Sequence, residues 1–127
     1  AGVRTFMNAF NLLNGIPATG NEMLQRDILK GSWAFDGFVI TDWASIREMV
    51  VHGYAENGAD AAEKAVKAGA DMDMESYLYV AELANLVRSG KVSEALIDDA
   101  VSRILTVKFE LGLFDDPYRY CDKKREQ

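Results

Sequence analysis

The chain has 127 residues, 49% of them apolar and 27% charged, which suits one globular domain of modest core and no more. Its formal net charge of −6 argues against nucleic acid or an anionic membrane as partner, because both are held through basic patches. One cysteine, Cys121, leaves no internal disulfide, and no Cys or His cluster offers metal-ligand spacing.

No apolar run approaches the roughly 20 residues that a spanning helix needs, and the opening residues carry no charged–apolar–small leader pattern. Ala1 does not read as a native start, since the chain begins without Met and almost directly on a strand, as a cut fragment would. The compartment stays open.

The first run, Thr5–Phe10, is short and apolar and closes on Asn11 and the turn pair Asn14-Gly15, which predicts a buried strand. Pro17 keeps Ile16 extended. Asn21 stands where a cap is needed for a helix over Glu22–Lys30, with Leu24, Ile28 and Leu29 as its apolar stripe and Gly31 as a left-handed stop. Asp36-Gly37 then turns the chain into Phe38-Val39-Ile40-Thr41, whose consecutive apolar residues predict a strand covered on both faces, as in a parallel sheet.

Ser45 and Glu48 match a capping box, so a helix is expected from Ser45 to the His52-Gly53 stop. Asp60 and Glu63 give a second such signature, opening a helix that ends at Gly69. Ala70–Met74 alternates apolar and acidic residues and predicts a third strand. Val80, Leu83, Ala84 and Val87 then recur at helical spacing before Gly90. In the last helix Ser93 is the cap, Val92 and Ile97 form a hydrophobic staple, and Ile97, Ala100, Val101, Ile104 and Leu111 share a face, with Gly112 and Pro117 as terminators. The charged stretch Asp122–Gln127 reads as a loose linker.

The order β-α-β-α-α-β-α-α predicts an α/β fold of about three parallel strands joined by right-handed helical connections. A complete (β/α) barrel takes about 250 residues, so the expectation is a partial TIM-like barrel or a small open sheet. Either leaves sheet edges and apolar faces uncovered, which predicts self-association or non-native closure in isolation.

Reacting groups in parallel α/β folds gather at the carboxyl ends of the strands, and Asp42 holds that place on the second strand. It reads as a carboxylate nucleophile or base; the alternative is a cap on the following helix, a duty that Ser45 is placed to take instead. Trp43 offers an indole face to a sugar ring, or else fills space at a barrel rim. Asp71, Asp73 and Glu75 fall on one face of the third strand, a spacing that strand alternation explains without a metal, and they lack the glycine and extra ligands of a calcium loop. His52 precedes Gly53 at a helix end, where contact with the helix dipole is expected rather than catalysis. No glycine-rich phosphate loop occurs, so neither a nucleotide nor any other cofactor is expected, and no metal.

The segment Gly37-Phe38-Val39-Ile40-Thr41-Asp42-Trp43 is similar to the nucleophile motif of glycoside hydrolase family 3, whose β-glucosidases and β-xylosidases carry G-F-V-V-S-D-W or a close variant. Further segments resemble the family in its own order: Asn11-x-x-Asn14-Gly15-x-Pro17, Leu24 through Trp33-x-Phe35-Asp36-Gly37, and His52-Gly53. Ala68-Gly69-Ala70-Asp71-Met72-x-Met74 and Gly112-Leu113-Phe114-x-x-Pro117-Tyr118 follow. The resemblance covers nearly the whole chain.

It implies the C-terminal portion of a family 3 catalytic barrel over residues 1–117, with 118–127 leading toward another domain. It also implies a retaining, exo-acting β-glycosidase that hydrolyses terminal non-reducing β-linked glucose. Asp42 takes the nucleophile position and Trp43 the wall of the site that grips the leaving sugar. The implied partner is a β-glucoside or oligosaccharide, and the implied compartment is periplasmic or secreted. The family's sugar-holding arginine, lysine–histidine pair and aspartate are expected upstream of Ala1, and its acid/base glutamate beyond Gln127, so the isolated chain is expected to be inactive. Phe10 stands where many members have a tyrosine whose hydroxyl reaches the nucleophile. A reading from another class is a non-catalytic α/β module that binds a protein through its exposed sheet edge.

Overall fold

The computed structural model describes residues 2–125; the expectations about Ala1 and about Glu126 and Gln127 at the end of the tail lie outside them. Strand β1 (Thr5–Met7) leads into a small hairpin, β2 (Leu12–Leu13) with β3 (Ile16–Pro17), and a 3-10 turn over Ala18–Gly20. A wide, π-type helix covers Met23–Ser32, and strand β4 spans Phe38–Ile40. Four α-helices follow: α1 (Ser45–Val51), α2 (Gly58–Ala68), α3 (Leu78–Arg88) and α4 (Glu94–Glu110). No described helix is long and apolar enough to cross a membrane.

β1 and β4 pair in parallel, with Thr5 opposite Phe38, Phe6 opposite Val39 and Met7 opposite Ile40. The expected third strand shrinks to a single parallel bridge between Ile40 and Met72. The cause is local: the Tyr79 hydroxyl donates to the Ala70 carbonyl at 2.7 Å, and the Val39 N–H donates to the Asp71 carboxylate at 2.8 Å instead of to main chain. Strand β4 is therefore the middle of three parallel segments. Its entry is tight, because a Cβ on Gly37 would lie 2.0 Å from the Arg4 carbonyl oxygen.

Asn21 does cap the first helix: its Oδ1 accepts the Leu24 N–H at 3.2 Å. The winding is wider than an α-helix, as the Trp33 N–H donates to the Ile28 carbonyl five residues back at 2.9 Å. That width brings Gln25 and Lys30 inward beside Leu29, while Leu24 and Ile28 are only half-buried. A groove of about 330 Å³ runs between β1 and this helix, lined in part by Phe6, Leu24, Ile28 and Trp33.

Helix α2 starts ahead of its expected place because Asn57, not Asp60, is the cap. Asn57 Oδ1 accepts the Asp60 N–H at 3.0 Å, and Asp60 Oδ2 accepts the Glu56 N–H at 2.9 Å. Gly69 ends it with φ 106, as its position predicts. One core cluster joins α1 to α2 through Ile46, Met49, Ala61 and Ala65. A second joins α2 to α3 and the start of α4 through Ala62, Val66, Leu86 and Val92, with Leu83, Val87 and Ile97 against it. The α3 stripe needs correction: Val80 is 85% exposed and Ala84 is exposed, while Leu86 takes the inner position. On α4, Ala100 and Val107 are buried but Val101 and Leu111 face outward, joining Leu105 and Phe109 on an exposed apolar face. Ser93 stands at the start of α4, yet only its backbone carbonyl bonds there, to the Leu96 N–H at 3.0 Å.

Candidate active site

Asp42 follows β4 by two residues. Strand alternation carried past Ile40 places it on the face of Phe38 and Ile40, opposite the buried side chains of Val39 and Thr41. It is half-buried. Its Oδ1 accepts the Trp43 N–H at 2.6 Å, the one hydrogen bond to this carboxylate among the described residues. One oxygen is thus held by the adjacent main chain, while the other has no hydrogen-bond partner among the described residues. Trp43 is 62% exposed, so its indole is presented outward and does not fill the core.

The ladder holding this loop is made by the segment after α2. The Thr41 N–H donates to the Met72 carbonyl at 2.9 Å, the Met74 N–H to Thr41 Oγ1 at 2.8 Å, and the Ala44 N–H to the Met74 carbonyl at 2.8 Å. Ser45 does not cap α1 as its sequence position suggests. Its hydroxyl instead accepts from Thr19 Oγ1 at 3.0 Å, and the Thr19 Oγ1 also lies 3.2 Å from Asn8 Oδ1. The residue before the helix is Ala44, at φ 56 and without a capping side chain. The turn closes through main chain, with the Ser45 N–H donating to the Asp42 carbonyl at 3.2 Å. The carboxylate of Asp42 therefore has no part in capping, for a different reason than the one its sequence supplied.

Ala44 belongs to a group. Non-glycine residues with left-handed backbone occur at Asn14, Ala34, Ala44, Glu75 and Tyr77; Ala34 precedes β4, and the other four lie in the connections that leave the carboxyl ends of β1, β4 and the Met72 segment. Such residues cost of order 1–3 kcal/mol each and gather where a fold holds functional geometry. Only Asn14, in the Asn14-Gly15 turn pair, is of a type that favours this backbone.

The other acidic candidates serve structure. Asp71 is buried against Lys30, with 2.6 Å between Nζ and Oδ1. Asp73 accepts from Ser76 Oγ and from the Tyr79 N–H, and Glu75 lies 4.0 Å from Arg47. Among the described residues no three His, Cys, Asp or Glu side chains come together to hold a metal ion. Burial pushes the Asp71 carboxyl above its ordinary value and the Lys30 ammonium below its own. Lys30 and Tyr79 were not singled out by the sequence, and only the wide helix accounts for Lys30 turning inward. His52 is the exposed C-cap residue of α1, Cys121 is an exposed thiol, and Phe10 is exposed.

A family model described as the glycosyl hydrolase family 3 N terminal domain matches residues 1–107. The chain belongs to glycosyl hydrolase family 3. The periplasmic β-glucosidase of Salmonella typhimurium is 43% identical over 124 residues, which are 98% of this chain and 16% of that protein. A β-xylosidase-like relative, the putative β-xylosidase of Formosa agariphila, is 37% identical over 110 residues, 84% of this chain and 14% of that protein. Among solved structures, the β-glucosidase of Listeria innocua in complex with gluconolactone superposes with a TM-score of 0.94 at 45% identity, over 98% of this chain and 17% of that one. The family 3 chain is thus an α/β fragment of the N-terminal barrel domain, β-glucosidase-like in sequence, spanning about a sixth of the length of the relatives it matches.

Proposed function

We propose that this family 3 chain is the C-terminal portion of the catalytic barrel of a retaining exo-β-glycosidase, with Asp42 as nucleophile and Trp43 as a wall for the leaving sugar. Residues 1–117 form that portion and 118–127 lead toward a further domain. The observation that carries the reading is the place of Asp42: past the carboxyl end of the central strand, on the Phe38–Ile40 face, half-buried and tied only to its neighbour's amide. A retaining reaction needs such a carboxylate to attack the anomeric carbon while a second carboxyl group about 5–5.5 Å away protonates the leaving oxygen. Asp71, Asp73 and Glu75 do not take that second role, because all three are engaged in structural contacts.

The relatives' names support a terminal β-linked glucose as substrate, with xylose as the nearest variation. General acid catalysis contributes typically about 10²–10⁴-fold, so the chain alone is expected to show no turnover of an aryl β-glucoside. In the longer enzyme, a 2-deoxy-2-fluoro-β-glucoside should label Asp42, and Asp42→Ala should abolish turnover; label recovered on a different residue refutes the assignment. The unpaired outer edge of β1 supports self-association of the isolated chain, and the second reading, a module that binds a protein through that edge. A clean monomer with cooperative melting in size-exclusion and calorimetric runs would speak against self-association and for the independent module.

A further inference from the structure

β4 is joined to the Met72 segment irregularly, and the irregularity sits three residues before Asp42. The Val39 carbonyl accepts two amides, Asp71 N–H at 2.9 Å and Met72 N–H at 3.1 Å. Two residues of the Met72 segment thus oppose one of β4, the signature of a β-bulge, which bends the segment that carries it and shifts its pairing along β4. A regular ladder would give the Val39 N–H a main-chain acceptor on the same neighbour. Ala70 does not supply it; its carbonyl accepts the Tyr79 hydroxyl instead. The acceptor is instead Asp71 Oδ2, and the other oxygen of that carboxylate is held by Lys30 from the wide helix.

The two side chains are almost sealed, at 6% and 1% exposed. Removing two ions from water is costly, and a buried pair is often no more stable than an apolar one of similar volume. Burial moves both groups toward their neutral forms, so the pair is poorly suited to adding stability. What it does supply is a fixed acceptor at one height along β4. Beyond that point the ladder from Met72 and Met74 to Thr41 and Ala44 runs in a register the bulge has set.

We propose that Lys30 and Asp71 are a positioning pair for the nucleophile: by accepting the Val39 N–H, the Asp71 carboxylate sets the height and direction at which β4 delivers Asp42. The inference rests on Asp42 being the nucleophile.

The test uses the full-length glycosidase and saturable inactivation by a 2-deoxy-2-fluoro-β-glucoside, which separates a dissociation constant from a labelling rate constant. Two double variants remove both charges, so neither buries a lone ion. K30M/D71N keeps an oxygen for the Val39 N–H; K30M/D71L does not. Misplacement of a reacting group by about 1 Å costs up to about a hundredfold, so K30M/D71L should label at least about tenfold slower than the parent and K30M/D71N within about threefold of it. The dissociation constant should be unchanged in both. Equal labelling rate constants for the two variants, whether fast or slow, overturn the proposal. Should K30M/D71L fail to fold, the smaller K30M/D71A carries the test, because it too leaves the Val39 N–H without its side-chain acceptor. A slower labelling rate constant at unchanged dissociation constant supports the pair, and an unchanged one refutes it. Label on a residue other than Asp42 in the unaltered enzyme defeats both readings, whereas label on Asp42 with indifferent variants defeats only this one.

Discussion

Gly37→Ala tests the packing that brings β4 to its place. The new Cβ would meet the Arg4 carbonyl oxygen at 2.0 Å, the Arg4 carbonyl carbon at 2.6 Å and the Phe35 ring at 2.6 Å. Phe35 is a side chain and can turn. The Arg4 backbone cannot, since its carbonyl accepts the Phe38 N–H at 3.1 Å and leads directly into the β1–β4 ladder. Ordinary contact begins near 3.4 Å, so the two backbones must part by about 1.4 Å. That breaks one backbone hydrogen bond, about 1 kcal/mol, and adds overpacking strain of about 1–3 kcal/mol. The expected loss is about 2–4 kcal/mol. With a slope near 2 kcal/mol/M, the urea midpoint followed by circular dichroism should fall by about 1–2 M. Gly90→Ala is the control: its φ is 74 with nothing within 4 Å of the new Cβ, so it should lose only the left-handed strain, about 1 kcal/mol. A Gly37→Ala midpoint no lower than that of Gly90→Ala would refute the close-approach argument.

Three other outcomes follow from the packing and the site. Met49→Ala empties a fully buried position in the α1–α2 cluster and should cost about 2–5 kcal/mol in equilibrium unfolding; a loss under about 1 kcal/mol would mean the cluster collapses onto the space. The hydrogen bond from Arg4 holds the Asp36 carboxyl below its usual 3.8. Its contribution is therefore present above the unfolded value and lost as the pH falls through the folded one. The melting advantage over Asp36→Asn should be seen near about pH 6, vanish by about pH 2 and shrink in high salt; an advantage unchanged across that range would contradict the pairing. Trp43→Ala should leave melting within about 0.5 kcal/mol because the indole is exposed, while raising KM in the longer enzyme; an unchanged KM would remove the indole from the sugar site.

Much of this arrangement was legible beforehand, and where it was not the causes are physical. The Phe38–Thr41 run, the Asn21 cap and the Gly69 stop are local signals, set by residue types whose preferences act within a turn or two. Ser45 misled because its hydroxyl is taken by Thr19, 26 residues away, a tertiary contact that no capping rule includes. The Ala70–Met74 alternation was real, but Asp71 and Tyr79 consumed the bonds that would have made a regular strand. Lys30 escaped notice because an α-helical period assigns it outward, and only the wider winding turns it in. The α4 reading gathered Ile97, Ala100, Val101, Ile104 and Leu111 onto one face, whereas the packing divides them between an inner side and an exposed apolar one. The position of Asp42 survived all of these, since it depends on where the strand ends.

The two indoles give this chain its own optical reporters. Trp33 stands at the groove beside β1 and is 69% exposed, while Trp43 stands at the far rim. Both should emit as solvated tryptophan when the chain is folded and uncovered. Anything that settles along β1 will blue-shift Trp33, and a sugar stacked beside Asp42 will quench or shift Trp43. Replacing either with Phe assigns the signal, so assembly and ligand capture are distinguishable in one emission spectrum.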